Sequence, residues 1–196
     1  MNDPSRLDRQ LEFVAQLDGL KRVTRMTSVI GESRLENSAE HSWHVALMAP
    51  LLLEYAPEGI DLLRVVRMLL LHDVVEIDAG DTFCFDDEGN GTKADREQAA
   101  ADRLFGLLPP DQTQDLRATW EEFEEGRTGE ARFAVALDRF QGLLQNYHNG
   151  GGTWRIHGVS RDRVLERMDP IREGAPGLWP VVLAVLDEVE ADGPLG

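Results

Sequence analysis

The segment LLLHDVVEIDAGD, residues 69–81, constrains the fold more strongly than any other part of the sequence. It places His72 and Asp73 side by side in an apolar stretch with helical periodicity, which predicts burial near the domain centre. A buried carboxylate needs a compensating charge, and a divalent cation supplies one. Glu76 can share a helical sector with this pair, and Asp81 follows in the next loop. The alternative is that His72 and Asp73 form a hydrogen-bonded core pair.

A second candidate segment is SAEHSWHVALMA, residues 38–49, in a helix predicted over residues 40–55 with Ser38 as its cap. His41 and His44 are three residues apart, so they occupy adjacent parts of one helical face and either imidazole can reach a metal ion. His41 is at the helix start, where an exposed site is expected. His44 is the better candidate for a structural or outer position.

Asp138 interrupts the apolar pattern of ARFAVALDRFQGLLQ, residues 131–145. Small residues lie one turn away on both sides, which leaves room for the carboxylate to point inward. In the alternative interpretation, Asp138 is exposed and pairs with Arg139 or Arg132. This segment is therefore the third candidate source of a metal ligand.

Helical periodicity dominates the chain and strand alternation is nearly absent, which predicts an all-α fold. Residues 1–196 are long enough for one domain with a sizeable core, and no linker divides them, so we expect a single helical bundle of about six to eight helices. The predicted helices cover residues 5–20, 40–55, 60–78, 92–108, 111–125, 129–147, 160–171 and 178–191. The predicted irregular segments are residues 21–39 and 79–91.

The net charge of −16 makes a nucleic-acid polymer or an anionic membrane an unlikely partner, whereas local cations still allow a small anionic substrate. Cys84 is the only cysteine, so no intrachain disulfide can form, which fits a reducing compartment. The first residues lack the apolar core of a signal peptide, and no uninterrupted apolar stretch is long enough to span a membrane. We therefore predict a cytoplasmic protein.

The order of the candidate residues resembles the H…HD…D signature of the HD-domain metal-dependent phosphohydrolases. Within that family, the sequence resembles the HD-domain 5′-deoxynucleotidases and their relatives. The motifs that carry the resemblance are LKRVTR at 20–25, ENSAEHSWHVA at 36–46, LLHDVVEIDAGD at 70–81, WEEFE at 120–124 and EARFAVALDRFQGLLQ at 130–145. The core motifs thus span residues 20–147, and residues 148–196 match more weakly.

This resemblance implies an all-α HD-domain fold and hydrolysis of a deoxynucleoside 5′-monophosphate to the nucleoside and phosphate. The implied metal ligands are His41, His72, Asp73 and Asp138. Glu76 and Asp81 are implied to be catalytic acid/base residues or ligands of a second metal ion. Arg25 is implied to contact the substrate phosphate.

Two imidazoles and two carboxylates suit a divalent ion such as Mn²⁺, Co²⁺, Fe²⁺ or Zn²⁺, and the sequence does not exclude Mg²⁺. We expect Glu76 to orient or deprotonate the attacking water and Asp81 to protonate the leaving 5′-oxygen or to position Glu76. The substrate is expected to be a small-molecule nucleotide or another phosphomonoester.

Three cations are candidates for offsetting charge on the phosphate oxygens: Arg25, Arg22 and Lys93. An arginine fork can hold two phosphate oxygens at once, which favours the arginines. The alternatives are that Arg22 and Arg25 are ordinary surface charges and that Lys93 pairs with Glu97 one turn later.

Other HD-type activities remain alternatives at this stage. Phosphodiesterases of the two-metal type use further histidines between the HD pair and the distal aspartate, and residues 74–137 contain none. A deoxynucleoside triphosphate hydrolase needs more cations than this acidic chain, with two lysines, offers. The non-enzymatic alternative is an inactive helical interaction module, but all four candidate ligands are present.

A homodimer is expected mainly from the resemblance. Apolar residues recur in the predicted C-terminal helices, residues 160–191, and in the segment before them. They pack either on the domain's own core or on a partner subunit. The side chains in question are Trp154, Leu178, Trp179 and Leu183.

Overall fold

The computed structural model describes residues 5–193 and 195–196, and it confirms the predicted helical fold class. The helices are α1 (Arg6–Leu17), α2 (Ser38–Leu51), α3 (Leu62–Leu71), α4 (Glu76–Ala79), α5 (Asp87–Phe105), α6 (Pro110–Glu125), α7 (Gly129–His148), α8 (Gly152–Ile156), α9 (Arg161–Met168), α10 (Pro170–Gly174) and α11 (Trp179–Ala191). All except α4, α8 and α10 have eight residues or more. Among the helices of these described residues, none combines the length and hydrophobicity that a membrane span requires.

The prediction that residues 21–39 are irregular is wrong, because they contain a β-hairpin. Strands β1 (Thr24–Ser28) and β2 (Leu35–Asn37) pair antiparallel, with Thr24 opposite Asn37. Strands of five and three residues are too short to give a clear alternating pattern, which is why the sequence did not reveal them. The hairpin leads directly into α2.

Asn37, rather than the predicted Ser38, caps the N-terminus of α2. The Asn37 side chain accepts a hydrogen bond from the backbone N–H of Glu40, and the Glu40 carboxylate accepts one from the backbone N–H of Asn37. This reciprocal pair satisfies two amides at the helix start. The hydroxyl of Ser38 is consequently available to donate a hydrogen bond to Glu76 Oε2, at 2.7 Å.

The helix predicted over residues 60–78 is interrupted. Helix α3 ends at Leu71 and α4 begins at Glu76, and the turn between them contains His72 and Asp73. The turn keeps its backbone bonded, since the Glu76 N–H donates to the Asp73 carbonyl at 2.9 Å. Apolar residues continue through the turn, so the sequence pattern gave no sign of it. The loop predicted over residues 79–91 is also shorter, because α5 begins at Asp87.

Two apolar cores meet at this turn. The larger core joins α2, α3, α7 and the C-terminal helices, and it includes Leu69 of α3. The smaller core joins α1, α5 and α6, and it includes Val74 and Val75 of the turn. His72 and Asp73 therefore lie on the boundary between the two cores, where an opening can reach them without breaking either core.

The C-terminal apolar residues mostly cover the chain's own core. Trp154 and Leu178 are buried in the larger core, and Trp179 packs against it partly buried. Leu183 stays 37% exposed. For Trp154 and Leu178, the interpretation as dimer contacts is therefore wrong.

Helix α10 approaches α7 with no side chain between them at Gly174. A Cβ atom at this position would lie 2.0 Å from the carbonyl oxygen of Arg132 and 2.8 Å from the Cβ of Ala136. Such a contact with backbone cannot be relieved by a side-chain rotation, so the position requires glycine.

We predict that Gly174→Ala lowers the free energy of unfolding by about 1–3 kcal/mol or more, because it overpacks the contact between α10 and α7. Gly142→Ala is the matched control, since a Cβ at that helical position meets nothing within 4 Å. The control is expected to raise stability by about 0.5–1 kcal/mol. Urea unfolding followed by circular dichroism measures both, and equal stabilities for the two variants would contradict the prediction.

Candidate metal centre and adjoining cavity

Four predicted site residues meet at the boundary between the cores. His41 comes from α2, His72 and Asp73 from the turn after α3, and Asp138 from α7, and all four side chains are buried. His41 Nε2 lies 2.9 Å from Asp138 Oδ1, and His72 Nε2 lies 3.1 Å from Asp73 Oδ1. The centroids of the two imidazole rings are 5.3 Å apart. The structure thus brings these residues together from three parts of the chain.

The geometry of this cluster fits a divalent cation. Ligand atoms of His41, His72 and Asp73 all lie within 4.8 Å of one another. Within the described residues, neither imidazole Nε2 makes a hydrogen bond, although both are buried. Asp138 adjoins His41 on the same cluster. Buried nitrogens without hydrogen-bond partners, beside carboxylates, are a donor set that borderline divalent ions favour.

The far side of each imidazole is held by a hydrogen-bond acceptor. His72 Nδ1 lies 2.9 Å from the Leu69 carbonyl oxygen, and His41 Nδ1 lies 3.1 Å from Gln141 Oε1. Because a carbonyl oxygen only accepts hydrogen bonds, Nδ1 carries a proton in both rings. The other ring nitrogen, Nε2, faces the cluster. The Gln141 amide is oriented in turn, since its Nε2 donates to Glu36 Oε1 at 3.0 Å.

The pKa values of the two histidines are shifted in opposite directions. Burial lowers the pKa of His72, which favours the neutral ring. Burial also acts to lower the pKa of His41, but the neighbouring carboxylates of Asp138 and Glu36 outweigh it and raise the pKa to about 9. A proton and a divalent cation would therefore compete for the lone pair of His41 Nε2.

Arg25 reaches this cluster from the hairpin. Its Nη1 donates to Asp73 Oδ2 at 3.2 Å, and its Nε lies 3.5 Å from Glu36 Oε2. Sequence reasoning missed Glu36 and Gln141, which hold Arg25 and His41 in place. Both lie inside motifs that carried the resemblance, but their contacts depend on the unpredicted hairpin.

Glu76 and Asp81 lie on one side of the cluster and line a cavity of about 600 Å³. Burial raises the pKa of Glu76, and the charges of Asp73 and Asp81 raise it further. Burial likewise raises the pKa of Asp81. Both carboxyl groups therefore hold a proton more readily than usual, which is a property of acid/base residues. The cavity volume lies within the range of about 300–1,000 Å³ that is common for small-molecule sites.

The three predicted substrate-binding cations have different positions. Arg25 and Lys93 line the cavity, and Lys93 also lies 3.4 Å from Glu97 Oε1. Arg22 does not line the cavity: its side chain is 77% exposed and lies 3.9 Å from Asp18 Oδ2. For Arg22, the interpretation as surface charge is the one that the structure supports.

His44 contacts Gln141 rather than the cluster, at 3.4 Å between His44 Nδ1 and Gln141 Nε2.

Asp138 has features of both interpretations of its segment. It is buried beside His41, as expected of an inward-pointing carboxylate, and it also pairs with Arg139, as expected in the alternative. Arg139 and Arg167 line the same cavity, and neither was among the predicted site residues.

The family model of the HD domain matches residues 17–179 of the chain. The 5′-deoxynucleotidase HDDC2 of Bos taurus is 34% identical over 136 residues, which cover 69% of this chain and 65% of that protein. The Homo sapiens protein of the same name is 32% identical with the same coverage. The aligned part thus spans slightly less than two thirds of the length of these relatives.

Solved structures give a similar result. The crystal structure of a predicted metal-dependent phosphohydrolase from Magnetospirillum magnetotacticum MS-1 is 50% identical, with a TM-score of 0.93 over 98% of this chain and 96% of that one. A conserved hypothetical protein from Pyrococcus furiosus is 21% identical, with a TM-score of 0.64 over 89% of this chain and 98% of that one. At that identity, the second similarity concerns the fold alone.

We predict that Gln141→Leu lowers the free energy of unfolding by about 1–3 kcal/mol, because it leaves His41 Nδ1 and Glu36 without their hydrogen-bond partner. Gln145→Leu, one turn later on α7, is the matched control. Gln145 is equally buried, but its Oε1 has no hydrogen-bond partner in the described part of the chain. The control should leave stability unchanged or raise it. Urea unfolding curves in which both variants lose the same stability would contradict this account.

Proposed function

The chain belongs to the HD-domain family, and from this premise we propose that it is a single-domain, metal-dependent 5′-deoxynucleotidase. It converts deoxynucleoside 5′-monophosphates to deoxynucleosides and phosphate. The observation that carries the proposal is the buried cluster of imidazoles and carboxylates beside a cavity that also contains Arg25. The names of the HDDC2 relatives support the substrate class.

The proposed metal ligands are His41, His72, Asp73 and Asp138. Their nitrogen and oxygen atoms suit Mn²⁺, Co²⁺, Fe²⁺ or Zn²⁺ best, and Mg²⁺ is the further candidate. A divalent ion held there would supply Lewis-acid charge for the phosphoryl group and for the attacking water. Gln141 and the Leu69 carbonyl orient the two imidazoles for this task.

Glu76 accepts the proton of the attacking water. Its raised pKa makes it a stronger base than an ordinary carboxylate, and the Ser38 hydroxyl orients it by donating to Oε2. Asp81 donates a proton to the leaving 5′-oxygen, because burial raises its pKa as well. Ligation of a second metal ion is the other role that these two carboxylates can have.

Arg25 binds the substrate phosphate, with Lys93 as a weaker contributor at the rim of the cavity. Arg25 is already fixed by Asp73 and Glu36, so its guanidinium needs little reordering when a phosphate arrives. Lys93 is a third exposed and shares its charge with Glu97. Arg22 lies outside the proposed substrate site.

The test of the function is phosphate release from a panel of deoxynucleoside 5′-monophosphates in the presence of Mn²⁺, Co²⁺ or Mg²⁺. We expect metal-dependent release by the wild-type protein and its loss in His72→Ala and in Asp138→Ala, because each removes a proposed ligand. Wild-type rates in both variants, or no release from any deoxynucleotide with any of these ions, would contradict the proposal.

The two neighbouring arginines give a matched pair in the same assay. Arg25→Gln should lower kcat/KM by about 100-fold, as expected when a charged donor to the reacting group is lost. Arg22→Gln changes the same side chain three residues earlier and outside the cavity, so its kcat/KM should stay close to the wild-type value. Equal effects of the two substitutions would remove Arg25 from the phosphate site.

We also propose a cytoplasmic homodimer. Trp43, Leu47 and Leu51 follow one another at four-residue spacing on α2, and their side chains are 63%, 48% and 68% exposed. Sedimentation equilibrium should give the mass of two chains, and Trp43→Glu should give that of one. A wild-type mass of one chain would contradict the dimer.

The cytoplasmic location is supported by the cysteine content: Cys84 is the only cysteine, which suits a reducing compartment.

A further inference from the structure

Two arginines line the part of the cavity wall that α7 and α9 contribute. Arg139 follows Asp138 on α7, and Arg167 comes from α9, in the C-terminal region where the sequence resemblance was weak. Neither has a role in the proposed hydrolysis. Each is half-buried, so its charge is partly removed from water and requires a partner.

Arg139 has only part of its hydrogen bonding satisfied. One terminal nitrogen, Nη1, contacts Asp138 Oδ2. Its Nε is buried and has no hydrogen-bond partner among the described residues. A buried N–H donor without an acceptor is uncommon in a folded protein and calls for an explanation. Arg139 also lines the cavity, so the rest of its side chain is open to a ligand there.

Arg167 has no carboxylate within ion-pair distance in the described part of the chain. The groups that act on its guanidinium are Arg139, Cys84 and Asp138, and Asp138 is already shared between Arg139 and His41. Burial and the neighbouring positive charge of Arg139 lower the pKa of Arg167 to about 10. The two guanidinium groups repel each other and share the carboxylate of Asp138, and a bound anion would offset the remaining repulsion.

This pair of arginines is separate from the proposed phosphate site at Arg25. Asp138 contacts His41 through Oδ1 and Arg139 through Oδ2. Arg25 instead contacts Asp73 and Glu36. The two cationic groups therefore contact different carboxylates of the cluster.

We propose that Arg139 and Arg167 form a second phosphate-binding subsite, and that the preferred substrates are phosphomonoesters with a second phosphate group. A deoxynucleoside 3′,5′-bisphosphate is the simplest example, with its 5′-phosphate at the cluster and its 3′-phosphate at the arginine pair. The inference rests on the proposed function for the identity of the group that is hydrolysed.

A phosphate suits this subsite better than a neutral nucleobase. Two guanidinium groups carry two positive charges and several N–H donors, which a doubly charged group with three oxygens can satisfy together. A base carbonyl carries no negative charge to offset that of Arg167. The cavity volume of about 600 Å³ is also in the range that holds a nucleotide-sized ligand.

The test compares kcat/KM for 2′-deoxyadenosine 5′-monophosphate and 2′-deoxyadenosine 3′,5′-bisphosphate in the metal-loaded protein. The wild-type protein should prefer the bisphosphate by about tenfold or more, which corresponds to one charge-assisted contact. Arg167→Gln should remove the preference. Arg167→Lys keeps the charge but not the fork, so it should retain part of the preference.

Arg161→Gln is the matched control, because Arg161 lies on the same helix but pairs with Asp187 and Glu190 of α11 and does not line the cavity. This variant should keep the full wild-type preference. Equal kcat/KM values for the two nucleotides in the wild-type protein would overturn the proposal. A preference that survives Arg167→Gln would overturn it as well.

Isothermal titration calorimetry on EDTA-treated protein separates this inference from the proposed function, because no turnover occurs. Tighter binding of the bisphosphate that depends on Arg167 supports the subsite even where no nucleotide is hydrolysed. Inorganic phosphate is the second probe in the assay of 5′-monophosphate hydrolysis. Inhibition by phosphate that Arg167→Gln relieves, without a preference for the bisphosphate, would overturn the substrate assignment and give the subsite to free phosphate.

Discussion

The carboxylates of Asp73 and Asp138 lie buried beside two imidazoles, and the surrounding structure must compensate for removing this charge from water. Leaving a buried carboxylate unpaired is far more unfavourable than any single apolar contact is favourable. Arg25 and Arg139 each contact one of these carboxylates, the raised pKa of His41 favours its charged ring, and a divalent cation would be a further source of positive charge. The hairpin contributes Arg25 to this compensation, and α7 contributes both Asp138 and Arg139.

The arrangement of the helices explains how an ionic cluster and apolar cores can coexist. The turn that contains His72 and Asp73 joins the larger core to the smaller one, so the polar groups lie between them. Gln141 and Glu36 then form a second layer of hydrogen bonds behind His41. Gln141 and Glu36 thus hold His41, one of the proposed metal ligands, in a fixed orientation within the cluster.

The sequence was informative where a residue type conflicts with its surroundings. His72, Asp73 and Asp138 interrupt apolar helical patterns, which made them candidates, and the family resemblance was needed to choose the buried interpretation of Asp138. Glu36, Gln141 and Arg167 were not identified, because their roles depend on which elements pack together. The break at His72 was missed for a different reason: apolar residues continue through the turn, so the hydrophobic pattern gives no sign that the helix ends at Leu71.

The glycine contact between α10 and α7 also determines how the cavity can open. With backbone packed directly on backbone at Gly174, no flexible side chain can absorb a change in the spacing of these two helices. The helix that contains Asp138 and the C-terminal wall therefore behave as one stiff unit. A ligand that enters the cavity therefore meets a wall of fixed shape on this side.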